Sequence, residues 1–346
     1  MAATIRDVAS EAKVSFQLAS AVLGNKKYAR ASEATRKKIL DAARRLGYVP
    51  NVSARILRGT ASKIIGVLID SRAPEPAYGT LVEIERGADE LGYRILSAQA
   101  HDNPEKLLQA YHSLKQNGVD GIISFSHDYP QLNCQLDRQL KDDPKIVFVR
   151  STLEPDASSV DVDMAGGMKM AVDHLTAGGY RNPALLLWGE GDVSKLALNS
   201  KERCDGFKQA CPEGKIFFLN SPDTDIARLA KECRKLIREK ILPGKIDSVI
   251  AQNDNLAAIL MKELLASGIR IPRDFGLIGF DNRLIGECLP VTLSSLFYDR
   301  KELADAVLKI LMDKISGNTD PVRIICRMKF VPRESTDKNS IIIKNH

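Results

Sequence analysis

Apolar residues recur at helical spacing through the first 50 positions, then give way to short apolar runs that alternate with amphipathic stretches. Ile5, Val8, Ala9 and Ala12 mark one helical face, which predicts a first helix over 5–12. Thr4 stands at its N-cap, and Asp7 three residues later completes a capping pattern. After "KVS", Ser15 caps a second stripe of Phe16, Ala19, Val22 and Leu23, closed by Gly24. Ser32 caps "EATRKKILDAARRLG", in which Ile39, Ala42, Ala43 and Leu46 face inward and Gly47 ends the helix. Two short helices joined by a three-residue turn, with a third behind them, form a helix-turn-helix layout.

From residue 63 the pattern changes. Nine apolar runs read as strands: "KIIGVLI" (63–69), "RILSA", "GIISF", "KIVFV", "SVDV", "ALLLW", "KIFFL", "SVIA" and "FGLIGF". Amphipathic segments lie between and after them, at 80–91, 104–117, 168–178, 225–240, 255–268 and 299–316. Strand alternating with helix implies doubly wound parallel sheets, and this many units implies two lobes. The fold class expected is thus a small all-α head on an α/β body.

Charge sharpens the division. Residues 1–62 hold 12 Lys and Arg against 4 Asp and Glu, a charge of +8; the whole chain carries +6, so the rest carries −2. A basic head on a near-neutral body is the footprint of a polyanion-binding module joined to something else. The early residues of the second helix, Ser15, Phe16, Gln17, Leu18 and Ser20, would face base edges in a major groove. There Gln17 can bond adenine, and Phe16 and Leu18 can touch thymine methyls.

Other classes find little support. There is no GxGxxG after the first strand, no Walker A sequence, no HExxH and no GxSxG, so neither an enzyme nor a cofactor is expected. His127 and Asp128 follow "GIISF", but as a surface-loop pair. Six cysteines (134, 204, 211, 233, 288, 326) show no metal spacing and read as reduced thiols. "MAATIRDVAS" lacks a basic start before an apolar block, and no apolar stretch reaches spanning length, so a cytoplasmic chain is expected. A transporter's solute-binding protein would fit the two lobes but not the basic head.

"TIRDVASEAKVS", "SEATRKKILDAARRLGYVPN" and "SARILR" resemble the LacI/GalR family of transcription regulators in order and spacing. The resemblance continues through "SVDVDMAGGMKMAVDHLTAGGYRNPALLL", the Arg-x-x-Gly-Phe match "ERCDGF", and "AQNDNLAAILMKELLASGIRIPRDFGLIGFDN". It implies a helix-turn-helix domain at 1–50, a hinge helix and linker at 51–62, and a periplasmic-binding-protein-like body of type I at 63–346. Within that body it implies a first lobe of about 63–162 and 296–325, and a second of about 163–295 and 326–340.

It further implies a homodimer on pseudo-palindromic operator DNA, with no membrane, and a repressor governed by a small effector. The DNA face would include Thr4, Asn25, Tyr28, Asn51, Ala54, Arg55 and Arg58, with Leu57 inserted as a wedge between minor-groove base steps. Without the resemblance, Ile56 and Leu57 could equally pack on the body. The family's turn usually carries glycine where this chain has Lys13, and often arginine where Ala21 stands.

Ligands in such sheets bind beyond the carboxyl ends of the strands. The runs end at Asp70, Arg150, Trp188, Asn253 with Asp254, and Asp281. With Arg203, Tyr78 and Tyr298 these are the candidate effector residues. Arg150 stands where sugar-binding members often have aspartate. Two cleft arginines favour an anionic sugar derivative; pairing of Arg150 with Asp70 or another carboxylate would leave the ligand neutral. Asn253 and Asp254 could instead cap "NLAAILMKELL", and Asp281 could close a turn.

Overall fold

The structure, a computed structural model, describes residues 3–24, 30–48, 61–70, 73, 75–100, 104–125, 140–150, 156–189, 191–193, 196, 198–220 and 225–338. The chain separates into two compact units, Met1–Ser62 and Lys63–His346. The first holds α1 (Ile5–Glu11), α2 (Phe16–Leu23) and α3 (Glu33–Arg45). Each starts on a predicted cap. Thr4 and Asp7 form a capping box, and the Ser15 and Ser32 side chains accept from the Leu18 and Thr35 amides at 3.2 Å. Val8, Ala9, Ala12, Ala19, Val22, Ile39, Ala42 and Ala43 make the core, as their spacing requires.

Lys13 keeps the turn that glycine would make. Its φ is +53°, and the bonds Lys13 N–H to Ser10 O and Val14 N–H to Ala9 O close α1 as a Schellman motif.

The second unit contains β1 (Ile64–Asp70), α4 (Glu75–Glu90), β2 (Arg94–Ala100), α5 (Pro104–Gln116), β3 (Gly121–Phe125), β4 (Ile146–Val149) and β5 (Ser159–Val162). It continues with α6 (Met164–Ala177), β6 (Pro183–Trp188), α7 (Leu198–Ala210), β7 (Lys215–Leu219), α8 (Ile226–Leu236, prolonged by a π turn), β8 (Ser248–Ala251), α9 (Asp254–Ala266) and β9 (Gly276–Phe280). It ends with β10 (Ser294–Tyr298), α10 (Arg300–Ile315), β11 (Arg323–Cys326) and β12 (Met328–Val331).

These strands form two six-stranded sheets, ordered β11-β5-β4-β3-β1-β2 and β12-β10-β9-β8-β6-β7. All described pairings are parallel except β10 with β12. In each sheet the strand order reverses beside the first strand, which opens a crevice at the carboxyl ends.

Three strands escaped the reading of apolar runs. β10 starts on two serines, and β11 and β12 are four-residue edge strands carrying Arg323 and Lys329. The expected return to the first lobe at 296 cuts through β10. That strand lies wholly in the second sheet, so the chain returns at Asp299 and crosses again at Arg327.

Candidate functional site

In the head, Phe16 is 42% exposed, Ser15 and Gln17 are exposed, and Leu18 and Ser20 are half-buried. The Phe16 ring thus stands in solvent at the start of a capped helix and outside the head's core. Ala21 is buried and offers nothing to a base edge. Thr4 is exposed and holds the capping box. Asn25, Tyr28, Asn51, Ala54, Arg55, Leu57 and Arg58, with the expected hinge helix, lie outside the described residues.

In the body, four predicted residues come together: Arg150, Arg203, Asp281 and Tyr298. Arg150 follows β4 and is 9% exposed; one Nη donates to the Tyr298 hydroxyl at 3.4 Å, and its guanidinium lies 5.2 Å from that ring's centroid. Arg203 sits on α7, stacked 4.0 Å over Phe280 at the end of β9, and donates to the Gln252 carbonyl at 3.0 Å. Asp281 follows Phe280 directly. Burial is the largest influence on its carboxyl and raises its pKa, while Arg203, Arg150 and Arg300 pull the other way.

The Arg-x-x-Gly-Phe motif has a physical meaning here. Arg203 reaches the strand ends, and Phe207 is fully buried in the core. Gly206 lets α7 lie against α6: a Cβ there would fall 2.7 Å from the Ala165 Cα. The helix was not legible as an amphipathic segment, because it docks through this close approach rather than an apolar stripe.

The other candidates divide. Tyr78 on α4 donates to the Asp70 carbonyl at 3.3 Å, so these two share the first-lobe strand end. Trp188 is half-buried at the end of β6, its amide held by the Gln252 side chain at 2.7 Å. Asn253 caps α9, accepting from the Leu256 amide at 2.8 Å.

Asp254 is bonded within its own lobe. It is fully buried, and its carboxylate accepts from the Ser295 hydroxyl at 2.7 Å and the Arg283 amide at 2.5 Å. Those bonds brace the loop after β9 instead of presenting an acid to the cleft. Burial, with Asp281 nearby, pushes its carboxyl up to about 6.

Residue-type reading missed Glu75, Arg283 and Arg300. A cavity of about 560 Å³ is lined by these three together with Asp281, Asn282 and Tyr298. A larger hollow of about 790 Å³ lies beside β7, and no candidate residue lines it. The charged groups converge at the strand ends, not at that hollow.

Comparison with known proteins gives this geometry a context. Residues 4–51 match the pattern of bacterial regulatory proteins of the lacI family, and residues 172–336 match a periplasmic binding protein-like domain. The HTH-type transcriptional regulator DegA of Bacillus subtilis is 32% identical over 309 residues, 88% of each chain. The chain belongs to the LacI family. A second LacI-family relative, the sucrose operon repressor of Streptococcus mutans, is 30% identical over 97% of this chain and all of that protein. The lac repressor dimer bound to operator and the anti-inducer ONPF superposes with a TM-score of 0.82 at 23% identity, covering 97% of this chain and 99% of that one.

As a LacI-family member this protein is a DNA-binding regulator of transcription. Its head carries a charge of +8 and exposes the start of α2, and its body holds two sheets whose strand ends carry charged groups. Among the described residues no helix is long and apolar enough to cross a membrane, and no His, Cys, Asp or Glu group is arranged to hold a metal ion.

Proposed function

We propose that this regulator is a cytoplasmic homodimeric repressor whose grip on a pseudo-palindromic operator is set by an anionic, sugar-like ligand bound between its lobes. The head spans 1–50, the hinge helix and linker 51–62, and the ligand-binding and dimerisation lobes begin at 63. The observation that carries the ligand class is the convergence of Arg150 and Arg203, each stacked on an aromatic ring, beside Asp281. Guanidinium groups bind a carboxylate or phosphate in bidentate fashion, and a carboxylate such as Asp281 takes paired sugar hydroxyls.

Ligand binding favours one closure state of the lobes. In a dimer that changes lobe spacing across the two-fold axis and orders or frees the paired hinge helices, at a coupling of about 1–3 kcal/mol. Ser15, Phe16, Gln17, Leu18 and Ser20 read the major groove, while Leu57 opens a central base step.

The test is selection from a randomised DNA pool, repeated with neutral sugars, sugar acids and sugar phosphates. A recovered pseudo-palindrome whose enrichment responds to one acid or phosphate is the expected result. Response only to a neutral sugar would remove the anionic assignment, and no response to any compound would remove ligand control. Leu57→Ala should weaken operator binding while leaving ligand affinity unchanged; equal operator affinity would eliminate the wedge. Operator affinity should fall with salt at a log–log slope of roughly −0.9 per phosphate contacted.

A further inference from the structure

One carboxylate in this body is held from both lobes. Glu75 opens α4, which packs beside the first sheet, and it accepts two parallel bonds from Arg300 at 3.1 Å each. Arg300 begins α10 immediately after the chain re-enters the first lobe. Its side chain lies across Gly79, one turn beyond Glu75, where a Cβ would fall 2.1 Å from its Nη1. The same Glu75 carboxylate stands 3.6 Å from the Nε of Arg283. Arg283 belongs to the second lobe, in the loop after β9, and its amide is anchored to the buried Asp254. It therefore moves with that lobe, whereas Glu75 and Arg300 move with the first.

We propose that Glu75 is an interlobe clasp: positioned by Arg300 and gripping Arg283, it holds the cleft closed before any ligand arrives and so sets the ligand-free balance of open and closed forms. This rests on the reading of the cleft as the effector site. All three groups are partly exposed, with side chains 29% to 44% accessible. The pair is accordingly salt-screened and modest, a bias on the equilibrium rather than a lock. The clasp also lies beside Asp281: Arg300 and Glu75 act on its carboxyl in opposite senses. A change in the clasp is thereby felt at the ligand's own acid.

The experiment uses the full-length protein without ligand. Spin labels on exposed positions of the two lobes, Gln109 and Lys262, report the interlobe distance, with labelled chain diluted into unlabelled chain so that only intrachain distances are read. Glu75→Gln and Arg283→Gln should each lower the closed-to-open ratio about two- to fivefold. The double variant should do no more than either single one, and 0.5 M salt should move the wild type toward the variants (about half the screening length of physiological salt).

Distances in both single variants equal to the wild type, or fully additive effects, would overturn the clasp. Because no ligand is present, that outcome leaves the effector reading intact. Conversely, if no compound alters operator binding, the distance measurements still decide whether the clasp exists.

Discussion

Replacing Lys13 with glycine should stabilise the head. The residue sits at φ +53°, with its N–H bonded to Ser10 O at 3.1 Å and the Val14 N–H bonded to Ala9 O at 3.0 Å. These bonds fix the left-handed conformation whatever residue occupies the site. An L side chain there costs about 1–2 kcal/mol relative to glycine. Glycine, in turn, loses about 0.5–1 kcal/mol more chain entropy on folding than alanine does.

The difference leaves roughly 0.5–1 kcal/mol in favour of Lys13→Gly, against a core cluster of eight buried apolar residues among the described residues. Native-state hydrogen exchange in the full-length protein reads this directly. The amides of Ala19 and Val22 open with the head, and should exchange about two- to fivefold more slowly in the variant. Lys13→Ala is the control, since it removes the same charge but keeps the Cβ, and should exchange like the wild type. Equal rates for the glycine and alanine variants would refute the reasoning, because only backbone strain separates them.

Gly206→Ala should lower the chemical-denaturation midpoint by the equivalent of about 1–3 kcal/mol, because the new methyl meets the Ala165 backbone rather than a movable side chain; an unchanged midpoint would mean that α7 has room to spare. Gly79→Ala meets only the flexible end of Arg300, so its melting temperature should stay near that of the wild type while the interlobe distances shift as in Glu75→Gln. Asp254 binds its proton more tightly folded, near pH 6, than unfolded, near 3.8, so its contribution to stability falls as pH rises through that window. At about 1.4 kcal/mol per pKa unit this amounts to at most about 3 kcal/mol. Asp254→Asn should flatten urea midpoints between pH 4 and 6.5 relative to the wild type, and parallel profiles would show that the acid is not strained by burial.

The caps of the three head helices were legible, because capping is local chemistry, whereas Leu46, expected to face inward, is 37% exposed because it stands at the last turn, past the inward face of Ile39, Ala42 and Ala43. Thr4, Ser15 and Ser32 each accept from the amide three positions on, and no tertiary information is needed to see it. The buried parallel strands were legible for a related reason: they are covered on both faces and read as unbroken apolar runs. What depended on partners distant in the chain was not legible. Asp254 looked like a ligand group because it ends a strand, yet Ser295 and Arg283, 41 and 29 residues away, claim its carboxylate. Glu75 and Arg300 are 225 residues apart, and nothing in either neighbourhood announces the other.

Arg150 and Asp281, which the structure brings together at the strand ends, share a feature that their identities could not reveal. Arg150 has φ +62° and Asp281 φ +94°, both in the left-handed region that side chains avoid, at a cost of about 1–3 kcal/mol each. Each is pinned by its own amide, Arg150 to the Val160 carbonyl at 2.8 Å and Asp281 to the Leu296 carbonyl at 2.7 Å. Asn282, also left-handed, is fastened at its amide by the Ser295 hydroxyl and at its side chain by Arg333. The chain must turn sharply at both strand ends to bring a guanidinium and a carboxylate into one cleft from two separate sheets. The neighbouring hydrogen bonds impose that turn on residues that would not adopt it alone. Charge chemistry at these positions can therefore be read from residue type, whereas its convergence is a property of the backbone that the rest of each lobe enforces.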